Sequence, residues 1–589
     1  MTCWRNSCDY RFILICLTFL ALNAPLSLQA QAPVPLQPAP LAPPAQNAPP
    51  PLQTPEDAIV TGTLKEPDIS GVGLLDETNG GFGRQTWRGA DGGLVAQLVP
   101  QIPSSTPSAS LQELTRRLML SDAEPPAGLP GGVSFLALRV EKLLQAGQVE
   151  LAGRLANLAG ANTKDERLQR ARAEIALVQG ETNSACAHAA ANIRESSDAF
   201  WLKLTGFCQA LKGDEAAAQL SAELAAEQDA DDAGYQALLT ALLHKTGNLR
   251  GKAIRPDILK LAMIRSAELP IPDSLFQNAS AVTLQMAAQM PQLSPEARLA
   301  VAERAAAAGA LAPEELTGLY GAMKFSPEHR AKAIERAPKM PAPAANALLF
   351  QVVQGQEPFA RGPALAAAWS QARTNDSFPM IARVHLNSTR ELFLSPDLLP
   401  IAPDAGRALL AAGDVNAAGQ WYALARGLQS LGPNPGAHRT MHSLWPLLWI
   451  AQSAEVMADD PGAMIAAWLA QLPPGQKTRQ GPLMLTTLAA LGLVIPDSAW
   501  ITLMTDQKEN TGQQPVPPPS PVMLHMLSDA SSSGRTGLTV LLGLCLMGEQ
   551  GAYLAEPLAL GPVLEALNQT GLHKEARALA MDALLHAGI

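Results

Sequence analysis

The chain has 589 residues, 47% hydrophobic but only 4% aromatic, and 43 Lys and Arg against 53 Asp and Glu give it a net charge of −10. So few rings require a core of Ala, Leu, Val and Met, which suits many closely packed helices and disfavours a β-sandwich. The acidic balance argues against nucleic acid or an anionic membrane surface as the main partner.

Residues 1–30 read as a secretory signal. Arg5 and Arg11 supply its positive end, Phe12 to Leu22 its apolar stretch, and Pro25 to Ala30 lead to a small-residue cleavage position. Cleavage after Ala30 removes Arg5, Asp9 and Arg11, moving the charge from −10 to −11. The apolar stretch is too short for a comfortable span, so no integral membrane span is expected after cleavage. An uncleaved inner-membrane anchor is the alternative. Cys16 lacks the small residues that precede a lipoprotein cysteine, which argues against lipid attachment.

Residues 31–55 form a proline-rich linker, with ten prolines between Pro33 and Pro55. That density excludes helix and sheet and favours an extended spacer of about 70 Å. A signal followed by such a linker places the chain in the bacterial periplasm.

Residues 56–103 are read as an irregular, glycine-rich capping segment. Asp76 to Gly83 is a turn-rich loop, and Trp87, Leu94, Val95 and Leu98 suit docking onto the helices that follow. Its glycines do not match a phosphate-binding loop, because no Lys-Ser or Lys-Thr follows at the required place. Ile59 to Leu64 is the one strand-like stretch.

From Ser108 onward the apolar spacing is helical, beginning with Leu111, Leu114 and Leu118. Gly147, Gly180, Gly213 and Gly247 recur at intervals of 33, 33 and 34 residues, each ending an apolar helical run. Five places after the first three stand Ala152, Ala185 and Ala218, and twelve places after stand Ala159, Asn192 and Ala225. The fourth copy departs, with Lys252 in place of the first alanine. Further on, Gly413 is followed by Ala418 and Ala425, and Gly571 by Ala576 and Ala583.

This pattern resembles the tetratricopeptide repeat, in which a glycine ends the first helix and small residues on the second let neighbouring helices approach. The small residue expected seven places before the glycine stands at Ala173, Gly206 and Gly406, whereas Val140 and Leu564 occupy that place in two copies. The resemblance implies an all-α solenoid of helical hairpins, with repeats over 104–250, an irregular helical stretch over 251–400 and further helical repeats over 401–589. Within the middle stretch, Ser294-Pro295-Glu296, Ala312-Pro313-Glu314 and Ser326-Pro327-Glu328 each read as a helix start, so its helices should be short.

Chemistry is sparse. Of six cysteines, three leave with the signal. Cys186 and Cys208 fall on consecutive antiparallel helices, where an oxidising compartment allows a disulfide, while Cys545 suits an inert core position. His438 and His442 share one helix face, but Arg439 stands where a zinc protease has its glutamate, so no metal is assigned. Ser430 does not fit a nucleophile elbow, and Asp229, Asp231 and Asp232 read as a solvated, capping cluster. The scarce aromatics, among them Phe200, Trp201, Phe207, Trp421, Tyr422, Trp445, Trp449 and Trp468, read mainly as core.

No catalytic residue and no cofactor is expected. The leading expectation is a non-enzymatic periplasmic scaffold that binds unidentified envelope proteins on a concave helical surface. The alternatives are an enzyme or enzyme subunit acting on cell-wall glycan, and a structural spacer.

Overall fold

Short polar residues open the helices and left-handed residues close them. Ser108, Ser134, Asp165, Asp198, Asp214 and Asp232 each accept a backbone N–H from the first turn of the helix that follows. The structure, a computed structural model, describes residues 69–589 apart from 161–162, 197, 230–231, 246–253, 507–517 and 549–556. The expected signal and linker, the 56–68 part of the capping segment with Ile59 to Leu64, and Gly247, Lys252 and Asp231 lie outside the described residues.

Among the described residues there are 29 α-helices and no strand, only the isolated bridges Leu75 to Ser121 and Asp91 to Ala127. None of these helices is long and apolar enough to cross a membrane. The three expected Pro-Glu starts open the helices Pro295–Ala307, Pro313–Ala322 and Pro327–Ala331, of 13, 10 and 5 residues, with Ser294 and Ser326 as side-chain caps; the first is of ordinary length, not short as expected.

The five glycines that end helical runs share one geometry. Gly147, Gly180, Gly213, Gly413 and Gly571 have φ between 75° and 82°, the left-handed region that glycine enters at little cost. In each, the glycine N–H bonds the carbonyl three residues back, and the next N–H bonds the carbonyl five residues before it. That doubly bonded turn reverses the chain into a second helix. It gives the hairpins Phe135–Gln145 with Val149–Asn157, Glu166–Gln179 with Thr182–Asn192, and Ala199–Leu211 with Glu215–Gln228.

The same turn occurs at Gly309, Gly492 and Gly534, and also at Glu268, Asp376 and Gln452, whose φ values are 52°, 52° and 56°. From Asp376 the series runs through Gly413, Gln452, Gly492, Gly534 and Gly571, at separations of 37, 39, 40, 42 and 37 residues. Gly413 and Gly571 are therefore members of a continuous series with a longer period than the 33-residue spacing near the N-terminus.

The alanines pack where helices cross. Ala152, Ala185, Ala218, Ala225, Ala418, Ala425, Ala576 and Ala583 are all buried. Ala159 is not on the second helix: it lies beyond the end of Val149–Asn157 and is only half-buried. Small residues seven places before the glycine fill real constrictions, since a Cβ on Gly206 would lie 2.6 Å from the Tyr235 hydroxyl and one on Gly406 2.6 Å from Leu444.

The C-terminal helix His573–His586 packs against Ala109–Leu120 as well as against Phe378–Val384, Ala402–Ala411, Pro435–Ile450 and Pro474–Ala490. The buried Asp582 carboxylate accepts hydrogen bonds from the Ser108 and Ser110 hydroxyls and, at 3.2 Å, from the Ser110 N–H. It thereby places negative charge at the positive end of Ala109–Leu120. Two turns along the same faces, Arg117 pairs with Glu575.

Residues 69–133 are laid over this junction. Trp87 is buried edge-on against Phe135, and the Gly537 N–H bonds the Thr86 carbonyl at 2.8 Å. A side chain on Gly537 would strike that carbonyl at 2.5 Å. From the Phe135–Gln145 helix, the buried Arg139 donates to the carbonyls of Met119, Val72 and Ser121, and Lys142 to those of Pro100 and Ile102. These donors satisfy backbone acceptors that a strandless segment would otherwise leave unpaired. Burial lowers both cations' pKa values, Arg139 to about 10 and Lys142 to about 8.

Candidate interaction groove

The first helices of the hairpins, Glu166–Gln179 and Ala199–Leu211, together with Ala233–His244, present one face to a groove of about 620 Å³. Arg170, Glu174, Phe200, Lys203 and Tyr235 come from that face. The opposite wall is Asp257 to Lys260, at the start of helix Ile258–Ser266, which packs back onto Glu166–Gln179 and Ala233–His244.

A chain of ion pairs joins the two walls. Lys203 Nζ lies 2.6 Å from Asp229 and 3.1 Å from Asp232, and Lys260 Nζ lies 2.9 Å from both Asp232 and Asp257. Burial raises the Asp232 pKa, but hydrogen bonds from Lys260 and Lys203 outweigh that effect and hold it below the ordinary carboxylate range. The Tyr235 hydroxyl donates to the Lys203 carbonyl at 2.8 Å, fixing the helix that carries the lysine. Arg170 stacks 4.5 Å over the Phe200 ring and reaches Glu174 at 3.1 Å, with half of its side chain still exposed. The groove therefore offers the Arg170 guanidinium, backed by the buried Phe200 ring, beside a row of alternating charges.

Cys186 and Cys208 form a disulfide, with Cα atoms 5.7 Å apart, joining Thr182–Asn192 to Ala199–Leu211 behind this face. Cys545 is half-buried, and its thiol faces the Leu98 carbonyl at 3.7 Å. Of the expected acidic cluster, Asp229 and Asp232 are both in the ion-pair chain, and Asp232 also caps Ala233–His244. Trp201, Trp369, Trp421, Trp445 and Trp468 are core residues, and so is Phe200, whose ring also lines the groove. Lys260 and Asp257 carried no signal in the sequence, because they complete the site only after the chain turns back on itself.

Ser108, Asp582 and His586 are in contact, but the carboxylate lies between the hydroxyl and the imidazole, so the histidine cannot take the serine proton as a triad requires. Glu303 is buried and accepts from Tyr320 at 2.6 Å and from Asn346 at 3.0 Å, and burial raises its pKa despite both bonds. It lines a cavity of about 310 Å³ together with Asp376, Arg383 and His586. Among the described residues, no three His, Cys, Asp or Glu side chains gather as a metal cluster. No family model matches the chain, and neither a curated protein nor a solved structure matches it.

Proposed function

We propose that the chain is an exported, non-enzymatic helical-repeat scaffold that holds a protein partner in the cell envelope through the groove above Glu166–Gln179, Ala199–Leu211 and Ala233–His244. Tetratricopeptide-like hairpins of 33 residues give way, in this reading, to a series with a period of 37 to 42 residues. The observation that carries the reading is the groove itself. It is about 620 Å³, with its charges already paired and held in place and with Arg170 and Phe200 at its edge. Preorganised polar side chains beside the half-exposed Arg170 guanidinium suit recognition of a polar segment of another protein at little ordering cost.

Photo-crosslinking residues at Gln145 and Gln228, both exposed in the groove, test this against a control at the exposed Glu314. The expected result in intact cells is one shared adduct from both groove positions, absent from the control and reduced by Arg170→Glu. Equal adducts from all three positions, or none from the groove, would remove the proposal. Export predicts a mature N-terminus at Gln31, which mass spectrometry of the envelope fraction reads directly.

A second reading, an enzyme acting on cell-wall glycan, rests on the raised pKa of Glu303 and on Asp376 lining the same cavity. It requires the purified protein to cleave glycan and the Glu303→Gln protein not to; an inactive wild type ends it.

A further inference from the structure

His438 and His442 lie one turn apart on helix Pro435–Ile450, and their Nε2 atoms face each other at 3.2 Å. Two bare imidazole nitrogens at that separation repel, so either a proton or a cation must lie between them. On His438, Nδ1 sits 3.4 Å from the side-chain amide of Gln471, on the neighbouring helix Pro461–Gln471. The amide nitrogen is the atom that faces Nδ1; with the amide turned over, so that its oxygen faces Nδ1 instead, Nδ1 keeps the proton and the Nε2 lone pair points at His442. The Nδ1 of His442 is buried without a hydrogen-bond partner.

We propose that His438 and His442 together bind one late first-row divalent cation of the Cu²⁺, Ni²⁺ or Zn²⁺ class, with Gln471 as the residue that orients His438. The spacing fits. Two nitrogens each about 2.0–2.1 Å from one metal lie about 2.9 Å apart at a right angle and about 3.4 Å apart at the tetrahedral angle. The observed 3.2 Å falls between these values. Neutral imidazoles select this class over Mg²⁺ or Ca²⁺, which require oxygen ligands. His438 is exposed and His442 is 8% exposed, so the pair lies at the surface and water completes the coordination. With two protein ligands, the site binds reversibly and is separate from the groove.

Calorimetric titration of the full, oxidised protein with Ni²⁺ near neutral pH tests the assignment. The expected result is one equivalent bound, with affinity falling at least about tenfold in His438→Ala and about tenfold in Gln471→Leu. His573→Ala, which removes an exposed histidine from another helix, should bind as wild type. Because His438 is exposed, its replacement leaves the core intact, and an unchanged circular dichroism spectrum verifies this. With Cu²⁺, electron paramagnetic resonance should show two imidazole nitrogens in the wild type and one in His438→Ala. Equal Ni²⁺ binding by wild type and His438→Ala would overturn the proposal and leave a hydrogen-bonded histidine pair.

Discussion

Gly147 and Gly413 have nearly the same left-handed backbone, yet a methyl group added at each meets a different environment. At Gly413 nothing lies within 4 Å of an added Cβ, whereas at Gly147 the Ala310 Cβ is 2.3 Å away. Gly413→Ala should therefore cost only the backbone penalty, about 1–2 kcal/mol, and Gly147→Ala distinctly more; urea-unfolding midpoints of the two variants compare them. Both positions were legible in the sequence because glycine marks them. Glu268, Asp376 and Gln452 adopt the same conformation without glycine, so no glycine spacing could find them. His385 adds a pH effect. It is 1% exposed with an unpartnered Nδ1, and burial lowers its pKa to about 4. The unfolded chain binds a proton below about pH 6.5 that the folded chain refuses. Its contribution is thus complete above that pH and lost as the pH falls towards about 4. In His385→Phe the acid-side loss of stability should shrink by up to about 3 kcal/mol, read from urea midpoints over that window.

Helices and hairpins were the most legible scale. Apolar spacing and Ser, Asp and Pro-Glu starts locate helices such as Ala109–Leu120 and Pro295–Ala307, because capping is a local interaction between near neighbours. The period changes after the first hairpins, and the replacement of glycine at Glu268 and Asp376 hides the turns of the middle stretch. The Cys186–Cys208 disulfide acts at this scale, clamping a second helix to the next first helix across 22 residues. Cys186→Ser with Cys208→Ser should lower stability by about 3 kcal/mol on the chain-entropy account. Thermal unfolding of wild-type protein with and without reductant should show the same difference. A melting temperature unchanged by both treatments would mean that the pair adds nothing beyond its packing.

The whole molecule is where sequence reading stopped short. In an open array each repeat touches only its neighbours, and nothing along the chain announces that Asp582 will meet Ser108 and Ser110, 474 and 472 residues away. The groove has the same history on a smaller scale, since its second wall comes from Asp257 and Lys260. Deleting His573–Ile589 should therefore have a distant effect, making the segment around Thr86 and Trp87 protease-sensitive although neither is near the cut. Limited proteolysis with N-terminal sequencing of the fragments checks this; cleavage confined to the C-terminal hairpins would show that the junction is not structural. Asp582→Ala should do the same more mildly, because it takes the carboxylate acceptor from the buried Ser108 hydroxyl and the half-buried Ser110 hydroxyl.

The junction between Ala109–Leu120 and His573–His586 also sets the order of assembly. A chain synthesised from its N-terminus completes its early hairpins from local contacts and packs Ala109–Leu120 on Phe135–Gln145, but the sides of that helix that meet Thr536–Met547 and His573–His586 wait until those helices have been made. Until then those sides are open to any apolar surface they meet. A helix near one end of the described residues thus shields an apolar face near the other, and a chain that lacks His573–His586 should aggregate more readily than the full one.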